Sequence, residues 1–468
     1  MVKRNFVHLH VHTKYSIGDG ITHIVDLISA AKNAGMDAVA VTDNCVMHGV
    51  AEFYCEAISR GIKPIIGCEV YVAEEPPSGD NTNAKNESHL VLLAENQTGY
   101  HNLIKLLSQF NNESMEFDFR KSYESLRELH DGIICLSGSE DGMLYRYLKD
   151  GDEEQAETLV KRHINLFGKN NYFLELQQHG REEDRIVNEG LKRMAKKNGL
   201  SLVATNAVRY LQREDQDLYA VWRRICEKHN CNKRINDHDD NRDYYFKTAE
   251  EMDELFIDCP EALENTRLIA ERCNVNLKIS RQSYDSHPIL VSFHHRSLQY
   301  WQPILGSRVG SDESKVEEAI IDYAKERYDY TYAARIASTG HFTIGAAIRE
   351  VGSILDISSD EVECILGLVN AAIEYDEGFF ANLKLTFKKS SKLRKAYREN
   401  QHVKRLVDLA YGVQHLIFRY GVHASAFVLA PKPLEEYFPL QICDGCFATE
   451  YTCKSLEGLG IGKMLLEE

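Results

Sequence analysis

The stretch Phe6-Val7-His8-Leu9-His10-Val11-His12-Thr13 carries the strongest structural signal in this chain. Side chains alternate between the two faces of a β-strand, so His8, His10 and His12 are predicted on one face. Imidazoles grouped in this way are typical ligands of a transition metal. A polar edge strand with solvated histidines is the alternative, and the pattern by itself leaves both open.

Further potential metal ligands follow where later strands are predicted. Asp19 comes soon after the histidines, and Val41-Thr42-Asp43 closes the next apolar run. Glu69 follows Gly67-Cys68, and His89 precedes another apolar run. When successive strands deliver imidazoles and carboxylates to one face, a β/α barrel can build a metal site there.

The first two hundred residues alternate β-rich and helical patterns, which predicts an α/β fold with a parallel sheet or a barrel. Strands are predicted at residues 6–11, 38–42, 63–72, 89–94, 132–137 and 202–205. Helices are predicted at residues 21–34, 46–60, 99–110, 153–167 and 184–198.

The rest of the chain is predicted to be mainly helical, with a mixed pattern in its last forty residues. Residues 214–280 include Thr248-Ala249-Glu250-Glu251, which fits a capping box, and Pro260, which fits a helix start. Glycine, serine and proline break the helical pattern between residues 281 and 312. We therefore expect a domain at 1–280, a connector at 281–312 and a second domain at 313–468.

The composition excludes several classes of protein. The 468 residues include 55 Lys and Arg against 71 Asp and Glu, a net charge of −16. This excludes a wholly basic nucleic-acid coat and limits any DNA contact to a local patch. No run of eighteen apolar residues predicts a membrane helix, and the first residues are not typical of a signal peptide. Twelve singly placed cysteines then predict reduced thiols and a cytoplasmic location.

Several segments resemble the PHP domain of bacterial DNA polymerase III alpha subunits, the C-family replicative polymerases. They are residues 8–20, 38–49, 63–73, 202–211 and 245–248. The resemblance covers roughly residues 1–280 and implies a distorted β/α barrel. In active members this barrel holds up to three metal ions and hydrolyses phosphoesters, sometimes as a 3′–5′ exonuclease.

The same resemblance implies a reduced metal site. Five of the family's nine ligand positions carry a suitable side chain, namely His10, His12, Asp19, Glu69 and His89. The other four are Asn44, Ser139, Ala207 and Arg209. Ala207 has no ligand atom, and Arg209 brings a positive charge to a cation position. We therefore expect one or two divalent ions, zinc or manganese, at reduced occupancy.

The second half resembles the palm and thumb of the same polymerases. The similar segments are residues 320–355, 366–416, 423–426, 439–440 and 456–464. Polymerase chemistry needs carboxylates that hold two divalent ions. The family's Pro-Asp-x-Asp element is replaced by Gly310-Ser311-Asp312-Glu313, and its third carboxylate position is Leu465. The resemblance therefore implies a truncated, degenerate member without polymerase activity.

A basic run lies in the thumb-like segment. It contains Lys384, Lys388, Lys389, Lys392, Arg394, Lys395 and Arg398, followed by Lys404 and Arg405. Glu399 is the acidic residue within it. The run predicts salt-sensitive contact with the phosphate backbone of DNA, and a solvated helix face is the alternative.

Three smaller groups have weaker signals. His179, in Gln177-Gln178-His179-Gly180, is interpreted as a loop histidine. Cys443 and Cys446 with Cys453, or Cys226 and Cys231 with His229, could suggest zinc. Neither group has a matching second pair, so we favour ordinary thiols.

The leading hypothesis is a DNA- or replisome-binding pseudo-polymerase that acts in DNA replication or repair. A proofreading exonuclease or another replisome protein is its expected partner, because PHP domains of the family can dock one. The alternative is a metal-dependent phosphoesterase or 3′–5′ exonuclease that uses the reduced site. A decaying gene without activity is the third interpretation.

Overall fold

The computed structural model describes residues 6–73, 87–108, 120–138, 140, 142–231, 243–277, 289–293, 319, 333–370, 390–443 and 446–466. Within these ranges the chain forms two α/β parts, each built on its own sheet. The predicted α/β fold is confirmed. Ser139 and the basic residues Lys384, Lys388 and Lys389 lie outside the described residues.

The N-terminal part contains a seven-stranded mixed sheet among the described residues. Its strands are β1 Ala38–Val41, β2 Lys63–Ala73, β3 Glu87–Ala94, β4 Arg120–Ser122, β5 Ile133–Leu136, β6 Tyr172–Leu176 and β7 Ser201–Ala204. Their order is β1-β2-β3-β5-β6-β7, with β4 beside β2. The sheet is parallel except at β3, which runs antiparallel to both β2 and β5.

Of the two predicted alternatives, a parallel sheet or a barrel, the parallel sheet is not met at β3, and β4 and β6 were not predicted. A buried antiparallel strand shows the same continuous apolar run as a parallel one, so the pattern cannot separate them. In β6 the charged residue Glu175 interrupts the apolar run. That charge obscures a strand whose five residues are all buried.

The N-terminal part also contains helices α1 to α10. Their bounds are α1 Ile24–Asn33, α2 Val50–Arg60, α3 Gln97–Leu107, α4 Tyr123–Glu128, α5 Met143–Lys149, α6 Glu153–Phe167, α7 Glu182–Asn198, α8 Gln216–Lys228, α9 Ala249–Leu255 and α10 Pro260–Arg272. In α6, Ala156, Val160, His163 and Phe167 recur at the spacing of one helix face and are buried. The capping box at Thr248 and the helix start at Pro260 are confirmed.

The stretch with the three histidines is extended but is not a regular strand, so this prediction is wrong in detail. Its carbonyl groups accept hydrogen bonds from two neighbouring segments of the chain. Those of His8 and Val11 accept hydrogen bonds from the backbone N–H groups of Ala40 and Thr42, at 2.9 and 2.8 Å. That of His10 accepts from Val208 N–H at 3.0 Å. The stretch therefore lies between β1 and the segment after β7.

The second part contains a six-stranded sheet among the described residues, in the order β11-β12-β9-β10-β8-β13. Its strands are β8 Ile289–Phe293, β9 Ala333–His341, β10 Ile417–Leu429, β11 Leu440–Cys443, β12 Cys446–Thr452 and β13 Gly462–Leu466. Its helices are α11 Ile344–Ile354, α12 Ser359–Asn370, α13 Ser391–Glu399, α14 Gln401–Gln414 and α15 Cys453–Gly458.

The expectation of a mainly helical second half overlooked this sheet. Both long strands, β9 and β10, pair with breaks in register, so their side chains do not follow one clean alternation. Strand β8 falls within the segment interpreted as a connector and pairs with β10 and β13. The boundaries of the two domains otherwise stay a prediction.

The two parts are joined through buried polar contacts as well as apolar packing. The backbone N–H of Met47 donates to the carboxylate of Glu450 on β12. Tyr100 and Tyr451 share a hydrogen bond of 2.9 Å between their hydroxyl groups. Because these groups are buried and hydrogen-bonded to each other, they hold strand β12 against the N-terminal part.

Glu450 should make stability depend on pH. Burial raises the pKa of Glu450 to about 8, against a usual value of 4.5. The folded chain therefore keeps a proton that the unfolded chain loses, and stability should fall as pH rises from about 4.5 to 8. Glu450→Gln should flatten this decline in urea unfolding curves. The exposed change Glu435→Gln is the control, and equal slopes in wild type and Glu450→Gln would contradict the prediction.

Candidate metal centre

His10, His12 and Glu69 point their donor atoms at one another. The two histidine Nε2 atoms are 3.1 Å apart. Glu69 Oε2 lies 3.6 Å from Nε2 of His10 and 3.4 Å from Nε2 of His12. All three side chains are buried. This is the group within the described residues whose ligand atoms converge closely enough for a metal ion.

Backbone pairing holds this group together. His10 and His12 sit on the extended stretch beside β1, and Glu69 lies on β2. The N–H of Glu69 donates to the carbonyl of Asp43 at 3.2 Å, and its own carbonyl accepts from Cys45 N–H at 2.8 Å. The carboxylate is therefore delivered by a strand that is fixed next to the loop after β1.

Glu175 orients His10 from the side away from His12. Its Oε1 lies 2.7 Å from Nδ1 of His10 and also accepts hydrogen bonds from Thr205 and Gln177. Burial disfavours the charged imidazole, but the Glu175 carboxylate outweighs it and raises the pKa of His10 to about 9. A carboxylate on the far nitrogen of a ligand histidine is the usual support of a metal site, because it fixes the tautomer and the ring orientation.

His12 is in a different electrostatic environment. Burial, the Arg209 guanidinium and neighbouring His10 hold the pKa of His12 well below its usual value. Its Nδ1 lies 3.3 Å from the hydroxyl of Ser16. A neutral imidazole presents a lone pair, which is the form that binds a metal ion.

Asp43 organises the loop that follows the histidines. It accepts hydrogen bonds from the N–H and hydroxyl of Thr13 and from the hydroxyl of Ser16. Burial raises the pKa of Asp43 to about 6, although these hydrogen bonds oppose the shift. Asp43 therefore shapes the site without pointing at the ligand atoms.

Asp19 is engaged by other side chains. Its carboxylate forms an ion pair with the Arg209 guanidinium and accepts a hydrogen bond from the amide of Asn44. Its Oδ2 is 4.0 Å from Nδ1 of His12. Arg209 is buried, whereas Asp19 is partly exposed, with 15% of its side chain accessible. The positive charge next to Asp19 is thus supplied by the protein itself.

The remaining predicted positions lie around this group. His89 on β3 places Nδ1 3.8 Å from Glu69 Oε1, so the second oxygen of Glu69 faces another imidazole. Its ring also packs edge-on against Tyr71. Ala207 is buried with a positive φ of 42° and brings no ligand atom to the site.

The donor set fits a zinc-like ion. Bonds of about 2.0–2.1 Å in a tetrahedral site place neighbouring ligand atoms about 3.3 Å apart. The three distances between His10, His12 and Glu69 scatter around that value. Two imidazoles and one carboxylate with an open fourth position are also the ligand set of several catalytic zinc sites. Glu175 was not singled out from the sequence, although a carboxylate inside an apolar run signals a buried partner.

The basic run is described in part. Lys392, Lys395 and Arg398 are exposed on α13, and Arg394 is half-buried on the same helix. Ser390 caps the helix through a hydrogen bond to the N–H of Leu393. Three cations therefore share the solvent side of one short helix, while Arg405 on α14 is paired with Asp217 at 2.6 Å.

The weaker groups show no further metal geometry in the described part of the chain. His179 Nε2 bonds the carbonyl of Asn206 at 3.0 Å, as a buried structural histidine would. His229 Nε2 lies 3.0 Å from Glu350 Oε2. No disulfide joins any of the twelve cysteines, all of which are described.

Two segments of the chain match known protein families. Residues 8–179 match the PHP domain, and residues 312–466 match the family described as bacterial DNA polymerase III alpha NTPase domain. The chain is a DNA polymerase III alpha-like protein with a PHP domain. The DNA polymerase III subunit alpha of Treponema pallidum is 29% identical, over 99% of this chain and 47% of its own length. That of Pseudomonas fluorescens is 35% identical, over 61% of this chain and 24% of its own length.

The chain spans about half the length, or less, of these relatives. The alignment with the Treponema protein runs over 569 positions, more than the 468 residues of this chain. A solved structure described as a candidate metal-dependent phosphoesterase, from Bifidobacterium adolescentis, is 12% identical over 43% of this chain and 87% of its own, with a TM-score of 0.30. That overlap is too loose to bear on fold or function.

Within the described ranges, no helix combines the length and the apolar character that crossing a bilayer requires.

The ion pair of Arg209 with Asp19 should be important for stability. Arg209→Gln leaves a carboxylate that lies mostly within the protein without its cation. We expect the free energy of unfolding in urea to fall by about 3 kcal/mol. Arg193→Gln, which breaks an exposed pair with Glu153, is the control and should cost less than about 1 kcal/mol. Equal losses of unfolding free energy in the two variants would show that the buried pair contributes no more to stability than the exposed pair.

Proposed function

We propose that the PHP domain of this chain binds one divalent ion through His10, His12 and Glu69 and hydrolyses phosphoesters of DNA. The observation that carries the proposal is the spacing of the three donor atoms, which matches the edges of a tetrahedral site. The support of His10 by buried Glu175 agrees with it. The DNA polymerase III alpha-like relationship favours DNA as the source of the phosphoester.

The protein side chains have separable roles in this proposal. When bound, the ion would activate a water molecule and polarise a phosphoryl oxygen. His10 and His12 would each supply Nε2 to the ion, and Glu69 would supply one oxygen while its second oxygen faces His89. Glu175 keeps His10 in the orientation that exposes Nε2. Arg209 keeps Asp19 neutralised, so we propose that Asp19, although predicted as a ligand, does not contribute to the first ion.

Metal content tests the ligand assignment directly. Purified wild-type protein should hold about one zinc or manganese ion per chain after dialysis, measured by plasma mass spectrometry. His10→Ala combined with His12→Ala should lose it, whereas His101→Ala combined with His130→Ala on the surface should not. Glu175→Gln should weaken the apparent metal affinity about 10- to 100-fold, because it removes the partner of a ligand histidine. Full metal content in the His10/His12 variant would place the ion elsewhere.

The same variants test hydrolysis. An end-labelled primer–template is incubated with manganese or zinc, with and without nucleotides, and sampled on a gel. Shortening in wild type and in the surface control, but not in the His10/His12 variant, is the expected result. Shortening that persists in the variant would exclude this site, and extension would contradict the absence of polymerase carboxylates.

A second candidate function is favoured by α13. We propose that the chain is a non-synthesising, DNA-binding relative of the polymerase, and that the seven predicted basic residues contact the DNA backbone. The exposed cations Lys392, Lys395 and Arg398 support it, as does the replacement of family carboxylates at Leu465 and before residue 315. The proofreading-exonuclease or other replisome partner and the cytoplasmic location remain predictions of this proposal.

The salt dependence of DNA binding tests the second candidate. Replacing Lys392, Lys395 and Arg398 with Gln removes up to three phosphate contacts. The slope of log affinity against log salt should then fall by about 2 to 3. Gln at Lys161, Arg127 and Arg185 makes the same charge change on the N-terminal part and is the control. Identical slopes measured by fluorescence anisotropy for the two triple variants would exclude α13 as the contact.

A further inference from the structure

The side chain of Arg209 lies beside that of His12 in the candidate metal centre. Val11 and Val208 form a parallel bridge, and the N–H of His12 donates to the carbonyl of Val208 at 2.7 Å. Side chains alternate along extended backbone, so His12 and Arg209, the next residues of the two segments, leave the pairing on the same face. The position of Asp19 agrees, because its carboxylate pairs with Arg209 and lies 4.0 Å from Nδ1 of His12.

The guanidinium of Arg209 is held in place but keeps a donor unused. Its Nη1 forms the ion pair with Asp19 and lies 3.4 Å from the carbonyl oxygen of the same residue. Cζ lies 4.8 Å from the centre of the Tyr244 ring, a cation–π contact. Nε is buried and has no hydrogen-bond partner among the described residues. A buried donor without a partner costs free energy, so its presence beside potential metal ligands favours a role in binding.

Asp19 has partners besides Arg209. Its carboxylate accepts a hydrogen bond from the amide of Asn44, and the Tyr219 hydroxyl donates to its Oδ1 at 3.5 Å. The Asp19 side chain is 15% accessible, whereas those of Arg209 and His12 are almost fully buried. Solvent therefore reaches this group at Asp19. An anion that enters there meets the guanidinium, while Asn44 and Tyr219 continue to bind Asp19.

A guanidinium is well suited to a phosphoryl group. It is charged at every working pH, and its planar donors match the oxygens of phosphate. Negative charge develops on the phosphoryl group in the transition state of its transfer. Donors that are already in place within a buried site stabilise such charge without having to reorganise. The ion pair, the Tyr244 ring and the backbone pairing fix Arg209 in this way.

We propose that Arg209 binds the phosphoryl group of the substrate beside the ion of the candidate metal centre. This inference rests on the proposed phosphoester hydrolysis and adds to it a residue that holds the substrate. In that reaction the water oxygen forms a bond to phosphorus and the ester oxygen leaves, while a proton from the water ends on the leaving oxygen. Arg209 gains and loses no proton, and it acts through its charge and its hydrogen bonds.

Phosphate binding without a metal ion separates this role from a structural one. Wild type, Arg209→Gln and Asp19→Asn are titrated with inorganic phosphate by calorimetry, in EDTA and at constant ionic strength. Both variants break the same ion pair, so a purely structural role predicts the same effect for both. If Arg209 binds phosphate, the effects are opposite. Arg209→Gln should weaken binding at least about tenfold, because charge-assisted hydrogen bonds are lost, and Asp19→Asn should strengthen it several-fold, because a competing anion is removed.

The controls break an exposed ion pair in the same two ways. Arg193→Gln and Glu153→Gln should leave phosphate binding unchanged. Arg209→Lys keeps a cation for Asp19 and should retain more phosphate binding than Arg209→Gln, but less than wild type, because it lacks the planar donors. Far-UV circular dichroism checks that each variant is folded at the temperature of the titration. Phosphate binding by Asp19→Asn that is equal to or weaker than that of wild type would overturn the proposal.

Hydrolysis of the end-labelled primer–template separates failure of this inference from failure of the proposed function. Arg209→Gln should keep the metal content of wild type and lower the rate of shortening at least about 100-fold. If wild type shortens the DNA and Arg209→Gln does so equally fast, the role of Arg209 is wrong and the proposed function stands. If wild type itself leaves the DNA intact, the proposed hydrolysis is wrong and the role of Arg209 in it is lost with it.

Discussion

The extended stretch from His8 to His12 is the constraint on which the N-terminal part depends. Its carbonyl groups bond β1 on one side and Val208 on the other. An extended chain held on both edges cannot slide by one residue without losing every one of these bonds. His10 and His12 are therefore fixed on one side, where Glu69 from β2 and Glu175 from β6 meet them. These backbone hydrogen bonds therefore determine where the side chains of the candidate site lie.

His10 and His12, although neighbours on this stretch, lie in different electrostatic environments. Glu175 favours a proton on His10, whereas Arg209 disfavours one on His12. Arg209 itself is held by Asp19, so one carboxylate is neutralised by an arginine rather than left for a cation. An arginine is always charged and cannot leave, whereas a metal ion exchanges with solvent. At Asp19 the protein itself therefore supplies a permanent positive charge.

The second part makes close, buried contacts with the N-terminal part. Strand β12 brings Glu450 and Tyr451 into the surface of the N-terminal part, and Tyr420 stacks on His48 with ring centres 3.7 Å apart. Buried polar contacts of this kind require exact partners, because an unpaired buried group costs free energy. They therefore hold the two parts together in one arrangement.

Much of this structure could be predicted from local patterns. Hydrophobic patterning identified α6 with its correct bounds and most of the barrel strands, and the alternating His10 and His12, with Glu69 on a later predicted strand, indicated the candidate metal centre. Capping signals at Thr248 and Pro260 are local, and they were confirmed for that reason. That the side chain of Ala207 cannot bind a metal was also visible in the sequence, because it has no donor atom in any fold.

Other features required the folded chain. The direction of β3, the sheet of the second part, the support of His10 by Glu175 and the pairing of Arg209 with Asp19 join residues far apart in sequence. A pattern of hydrophobicity reports how deeply a segment is buried but not which neighbour covers it. Charge compensation depends on distances of a few ångströms between such segments. Only the tertiary structure could therefore decide which carboxylates face the histidines and which carboxylate is paired with an arginine.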